Sequence, residues 1–468
     1  MQPKVKETEE TFQDKAETEE RENLTDKPII PTMIKLSWPI IVAQGMHLMY
    51  QLADTFWLGM LGPEHLAAIT LSFPLLFIVY SMGADFSIAG VALVSQYTGA
   101  EKHERASLAA GQILILSIAV SLLFVVPGRV FSEEMLLLIG AEPEVLPLAN
   151  TYFSIYVSAV PIIFIYYVFS ACLEGIGDTV TPMKIKVAAV IANIVLDPFL
   201  IFGWSIFPDL GIAGAAWATV LSRFLASSIG IYIMFSDMTN LTIKPRHFVP
   251  NIFLIKKIFR IGLPAALGDS AIAIAITVLT SLVAGFGTVV VAAWGIANRI
   301  TSMIRMPAFG LGRAVSIMVG QHLGAEQPDE AGRVSWVGTG ASTLLLLGLA
   351  LMLLVASPFI MQFFTDDPEV VETGARILRI LGFAYIFLGA QIVLSGALNG
   401  AGKTKQQIFF RILSLWGFQI PFSYLLAYTL DLGHDGIWWG IFMAKVLGLL
   451  ALMLWFKRGT WQTKEIED

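Results

Sequence analysis

The chain has 468 residues, 56% of them hydrophobic and 14% charged, with a formal net charge of −6 and a mean hydropathy of +0.72. Soluble proteins carry about 25% charged residues, so a soluble core cannot absorb this much apolar surface and the excess must face lipid. The apolar runs are long and continuous, which excludes a transmembrane barrel of alternating segments of about ten residues.

Residues 1–27 hold nine acids and five bases, which reads as a solvated, disordered tail rather than a cleavable leader. Twelve apolar spans follow, at approximately 33–61, 65–98, 107–127, 149–172, 183–207, 211–235, 261–285, 289–322, 335–357, 375–397, 408–430 and 436–456. Each reaches the roughly 20 residues needed to cross a bilayer. The first contains "AQGMHLMYQLADTFW", in which Gln44, His47, Gln51 and Asp54 fall within an arc of about 80° on one helix face. Cys172, alone in the chain, ends the fourth span, so no disulfide or cysteine-built metal site is expected. The fifth contains "NIVLDP", where Asn193 and Asp197 are four apart and converge, and Pro198 disturbs the turn before it.

Basic residues concentrate in the tail, in the even-numbered connections ("EKHER", "MKIK", "IKPRHFVPNIFLIKKIFR", "GRVS", "GKTKQQIFFR") and at the C-terminus. Only Arg129, Arg376 and Arg379 stand at the odd-numbered connections. This asymmetry places both termini in the cytoplasm of a multi-pass cell-membrane protein.

The chain is internally repeated. "QYTGAEKHERA" at Gln96 matches "QHLGAEQPDEA" at Gln321, "LEGIGDT" at Leu173 matches "LNGAGKT" at Leu398, and Pro39 matches Pro264, every time 225 residues apart. Six spans per repeat is even, so both copies cross in the same sense. The expected fold class is an all-α integral membrane protein with twelve transmembrane helices in two six-helix bundles, related by a pseudo-two-fold along the membrane normal. The expected divisions are a tail at 1–30, bundles at 31–235 and 261–457, a basic linker at 236–260 and a tail at 458–468.

The repeat supplies its own control. Adding 225 turns Asp54 into Leu279, His47 into Ile272, Asn193 into Phe418, Asp197 into Phe422 and Thr219 into Ala444. A structural need shared by both halves would have kept polar groups in both. The one-sided set instead suits a site for H⁺ or Na⁺ in the N-terminal half: buried carboxylates titrate near neutrality, and carboxylate, amide and hydroxyl oxygens are hard ligands. Gln51 and His47 are candidate neighbours of that site.

"LADTFWLGMLGPEHLAA", "LEGIGDTVTP", "NIVLDPFLIFG", "GIAGAAWATVLSR" and "LNGAGKT" together resemble the multidrug and toxic compound extrusion (MATE) transporters, nearest to their DinF-like and archaeal branch. The resemblance runs over about residues 30–456. It implies an antiporter without a cofactor, which admits H⁺ or Na⁺ while exporting an amphipathic, often cationic, organic compound. It carries the ion-site roles to Asp54, Asn193, Asp197 and Thr219, and implies repacking of the first helix. The NorM-like branch places an acid well inside the seventh span; Asp269, five residues after Pro264, comes earlier than that pattern. Asp85 and Arg313 lie on equivalent spans that would face a central cleft, and are candidates for a gate. Lys445 is a candidate for cleft charge. Trp57, Trp217, Trp294, Trp438 and Trp439 suit interface packing before substrate contact.

The expected partners are a small amphipathic molecule and membrane lipid, with no nucleic acid, and the expected state is a monomer. An alternative is a lipid or lipid-linked sugar flippase of the wider superfamily, which favours a more basic cleft and need not keep the carboxylates. A membrane enzyme lacks support, because HExxH, P-loop and His/Cys clusters are all missing from the sequence. A fluorescent protein fused after Asp468 should fluoresce and an alkaline phosphatase fused there should be inactive; the reverse pattern would invert the topology.

Overall fold

In a computed structural model of the chain, the described residues are 24–236 and 238–466, except for the side chains of Leu267 and Ser270. The acidic tail expected over 1–30 thus lies, up to residue 23, outside them. The N-terminal half contains α1 (Ile29–Gly59), α2 (Pro63–Gly99), α3 (His103–Val130), the two-part α4 (Leu146–Ser158 and Val160–Gly175), α5 (Val180–Phe202) and α6 (Ile212–Phe235). The C-terminal half repeats the order with α7 (Ile252–Ala284), α8 (Thr288–Gly324), α9 (Pro328–Gln362), α10 (Pro368–Gly400), α11 (Thr404–Thr429) and α12 (His434–Phe456). Among the described residues, ten of these helices are long and apolar enough to cross a membrane, and α4 is an eleventh when its halves count as one. The arginine-bearing α8 is less apolar and completes the twelve.

Local chemistry explains the departures from uniform spans. The halves of α4 meet at 47°, where Pro161 follows Ala159–Val160 and removes a backbone donor. In α11, two stretches widen to π-helix, Leu413–Gln419 and Leu425–Thr429. The helix α7 starts well before the expected residue 261, because Asn251 caps it: its Oδ1 accepts from the Leu254 amide at 3.1 Å. Lys256, Lys257 and Arg260 end an apolar run without ending a helix, since charged side chains are good helix formers. The basic linker docks on the N-terminal half. Gln112 of α3 donates to the carbonyls of His247 at 2.6 Å and Val249 at 2.9 Å, and accepts from the Asn251 amide at 2.8 Å.

The halves join at the end that carries the chain termini. There a shared apolar cluster brings Met33, Leu36, Val91 and Ala171 against Val315 and Leu394. The two glutamines singled out by the repeat cross over: Gln96 Nε2 donates to the Gly400 carbonyl at 2.9 Å, and Gln321 Nε2 to the Gly175 carbonyl at 3.0 Å. Since 175 and 400 are also 225 apart, these are one contact made twice across the pseudo-two-fold. Beside them α2 and α8 touch backbone to backbone: a Cβ on Gly99 would overlap the Gln321 carbonyl, and one on Gly324 the Gln96 carbonyl. The chain end is part of this seal. Glu465 donates its amide to Gln96 Oε1 at 2.7 Å, its carboxylate meets Lys403 Nζ at 2.7 Å, and its carbonyl accepts from Lys257 Nζ. Trp461 is buried against Phe456, so residues 458–466, within the tail expected over 458–468, are packed against the helices.

Gly99→Val should separate α2 from α8 at this crossing. Overpacking of this kind costs about 1–3 kcal/mol, and thermal unfolding of the purified protein in detergent should show a lowered midpoint; an unchanged midpoint would mean the crossing is not tight.

Candidate functional site

The helix α1 runs away from the terminal end, so Asp54, near its last turn, lies in the remote half of the N-terminal lobe. Asp197 occupies the corresponding end of α5, and Thr219 the first turns of α6. All are buried, with exposures of 9% for Asp54, 0% for Asn193 and Asp197, and 2% for Thr219. The four residues expected to form an ion site therefore come together inside one lobe. Asn193 Nδ2 donates to Asp197 Oδ1 at 3.3 Å and to Thr219 Oγ1 at 3.4 Å. The Asp54 carboxyl faces that of Asp197.

Tyrosines complete the cluster. Tyr50, also facing Asp54, shares hydrogen bonds with Thr219 Oγ1 at 2.8 Å and with the Tyr156 hydroxyl at 2.5 Å. The Tyr152 ring lies 4.8 Å from that of Tyr156. Arg223, one turn after Thr219, stacks its guanidinium 5.6 Å from the Tyr50 ring and 5.4 Å from the Tyr166 ring. It makes no ion pair with a described carboxylate. Three oxygens stay buried with no hydrogen-bond partner: Asp54 Oδ1, Asp197 Oδ2 and Asn193 Oδ1. Such atoms are rare because each loses its water without replacement. Here they converge from two helices, and a proton or a hard cation such as Na⁺ fits them.

The candidate neighbours fare differently. Gln51 is exposed on α1, and its side chain makes no hydrogen bond to Asp54, so it does not support the carboxyl as expected. The reason is angular: Gln51 is three residues from Asp54 and so about 60° round the helix, whereas Tyr50, four residues away, is about 40° round on the other side. His47 stacks on Tyr50 with ring centroids 6.1 Å apart and reaches the cluster only through that ring.

Asp85 and Arg313 line a different space, a cavity of about 770 Å³ between the lobes whose lining also includes Gln44, Lys445 and Trp294. The two do not pair. Arg313 Nε donates to Glu174 Oε2 at 2.5 Å, while Asp85 keeps Oδ2 without a partner. Lys445 Nζ donates to Gln419 Oε1 at 2.8 Å instead of snorkelling to lipid. Asp269 is held by Arg411 at 2.7 Å. Trp294 stacks on buried Trp438, with centroids 5.0 Å apart. The carboxylate cluster is thus enclosed within one lobe, and the large cavity lies outside it.

Sequence reasoning missed Tyr50, Tyr156 and Arg223. The repeat could have found them: their counterparts at +225 are Ala275, Leu381 and Gly448, the same one-sided pattern that marked Asp54.

Twelve helices in two related lobes, with a cavity between them and buried ionisable groups off its edge, define a membrane transport protein. The comparisons agree. The family model described as MatE matches residues 39–199 and 264–425, two segments that begin 225 apart, and the chain belongs to that family: it is a transporter and not an enzyme. The "Probable multidrug resistance protein YoeA" of Bacillus subtilis is 28% identical over 92% of this chain and 93% of its own. The "FAD transporter" of Shewanella oneidensis is 29% identical over 87% of this chain and 90% of its own. A solved structure titled "Outward-facing conformation of a multidrug resistance MATE family transporter of the MOP superfamily" superposes with a TM-score of 0.86 at 26% identity, covering 92% of this chain and 96% of that one.

Tyr50→Phe should destabilise the N-terminal lobe by about 1 kcal/mol, the net worth of a buried hydrogen bond, read as a lower unfolding midpoint; Gln51→Leu should leave the midpoint unchanged.

Proposed function

We propose that the protein is a cation-coupled exporter of amphipathic organic compounds in the cell membrane, working by alternating access with both termini in the cytoplasm. The carrying observation is the enclosed Asp54–Asp197 pair with its three partnerless oxygens, present in one repeat and replaced by Leu279 and Phe422 in the other. Retention of these carboxylates is what a flippase of the wider superfamily would not require.

In the proposed cycle, H⁺ or Na⁺ enters the cluster from the side remote from the termini and neutralises the facing carboxyls. Charge removal changes what Tyr50 and Asn193 can donate to, and α1, which carries Tyr50 and Asp54, repacks. The same helix places Pro39, Ile40, Ala43 and Gln44 on the central cavity, so repacking it alters the walls around the cargo. Ion and cargo are thereby coupled through one element that both contact, as linkage requires. The seal at the terminal end supports assigning this conformation to the state open to the opposite side. Binding of the ion has to favour one state by several kcal/mol to drive exchange effectively.

Asp54→Asn and Asp197→Asn should each abolish gradient-driven efflux of a reporter dye from proteoliposomes while the protein still inserts and purifies. Proton and sodium gradients applied separately decide the coupling ion. Full efflux in both variants, or no efflux under either gradient in the parent protein, would overturn the proposal.

A further inference from the structure

The central cavity is the place where cargo would sit, and its charge is not that expected for a cationic one. Five cations line it, Lys186, Arg305, Arg313, Arg411 and Lys445, against three carboxylates, a formal surplus of two positive charges. Two of the cations are neutralised locally, Arg313 by Glu174 and Arg411 by Asp269. Lys186, Arg305 and Lys445 form no ion pair with a described residue. The third carboxylate, Asp85, lies on α2 of the opposite lobe.

The cations on the C-terminal lobe converge. Arg305 of α8, Arg411 of α11 and Lys445 of α12 line the same cavity, and both arginines lie near Lys445. Lys445 is 8% exposed, and among the described residues its Nζ donates only to the neutral amide of Gln419. Arg305 spends one donor on the Thr301 carbonyl at 3.3 Å and lies 5.5 Å over the Tyr385 ring, which leaves its remaining N–H groups for a ligand. Arg305 and Lys445, the two of these that no described carboxylate neutralises, hold positive charge in a poorly hydrated space where an anion would join them, and guanidinium groups match the oxygens of phosphate and carboxylate. A cation placed between Arg305 and Lys445 would be repelled by both.

The repeat again separates function from scaffold. The counterparts of Arg305 and Lys445 at −225 are Tyr80 and Val220, while Arg411 answers to Lys186. One repeat has gained carboxylates in its interior, and the other has gained cations facing the cavity. Around them Trp294, Tyr385 and Phe309 line the same cavity and provide flat faces for an apolar body, in a volume typical of small-molecule sites.

We infer that the cavity binds an amphipathic organic anion, its phosphate or carboxylate held by Arg305 and Lys445 of the C-terminal lobe and its apolar body by the aromatic walls. This rests on the reading of the cavity as the cargo site, but not on any coupling ion, so binding measured without a gradient tests it separately.

Flavin mononucleotide and riboflavin, which differ by one phosphate, are suitable probes for the full-length protein in lipid nanodiscs, followed by flavin fluorescence. Flavin mononucleotide should bind at least about tenfold more tightly than riboflavin, and Arg305→Gln or Lys445→Gln should each remove that advantage. Arg305→Lys and Lys445→Arg should restore it, which separates loss of charge from loss of folding. Ethidium, a flat cation, should bind weakly to the parent and gain affinity in the neutralised variants. Lysophosphatidate tested against lysophosphatidylcholine decides the source of the anion: preference for lysophosphatidate without flavin mononucleotide binding supports the anion site and makes its ligand a lipid. Equal binding of the two flavins together with equal binding of the two lysolipids overturns the inference, as does ethidium binding more tightly than either anion. Anion binding without gradient-driven efflux would leave this inference standing and remove the coupling proposal.

Discussion

Two carboxyl groups face each other inside the N-terminal lobe, and no described cation pairs with either. Everything around them follows from that constraint. Asn193 gives its amide to one carboxylate and to Thr219, Tyr50 and Tyr156 pass hydroxyl contacts towards the same centre, and Arg223 is near but engaged with aromatic faces. A guanidinium bonded directly to Asp54 would have satisfied the carboxylate permanently. Held instead over the Tyr50 and Tyr166 rings, it leaves Asp54 Oδ1 and Asp197 Oδ2 without a partner.

The same cluster explains how the two halves can share a fold and differ in chemistry. In the C-terminal lobe, the counterpart positions are filled by Leu279 and Ala444 in the apolar interior, and Phe418 and Phe422 stand in or next to the π-helical part of α11. Gly310, the counterpart of Asp85, packs against Ile41 of α1, whose side chain would have to move to admit even a Cβ. The duplicated scaffold sets where helices cross; the residues without a counterpart set how the two lobes differ in chemistry.

Much of this was legible in the sequence because membrane insertion simplifies the code. Lipid demands continuous apolar runs, and a constant offset of 225 exposed both the duplication and its exceptions. The four residues of the cluster were found because carboxylates in an apolar helix need a reason. What escaped were groups whose chemistry hides in hydrophobic company. Tyr50 and Tyr156 counted as apolar bulk, although their hydroxyls tie three helices together. Polarity points to Gln51 as a neighbour of Asp54, but a difference of one residue, about 100° of helix, puts Tyr50 there instead. Long-range closures such as that of Gln112 on the linker, or of Glu465 on Gln96, leave no local pattern to detect.

Glu465 has a consequence of a different kind. Its amide belongs to a helix of one lobe, its carboxylate to the start of a helix in the other, and its carbonyl to the segment that enters the second repeat. Lys403 and Lys257 both belong to the C-terminal half, so two of the three attachments hold Glu465 to one lobe and the third reaches across to α2. A movement that parts the lobes at this end has to break the Gln96 contact and can leave the other two intact. Glu465 is thus a strut between the lobes that stands apart from the cavity, since none of residues 458–466 lines it.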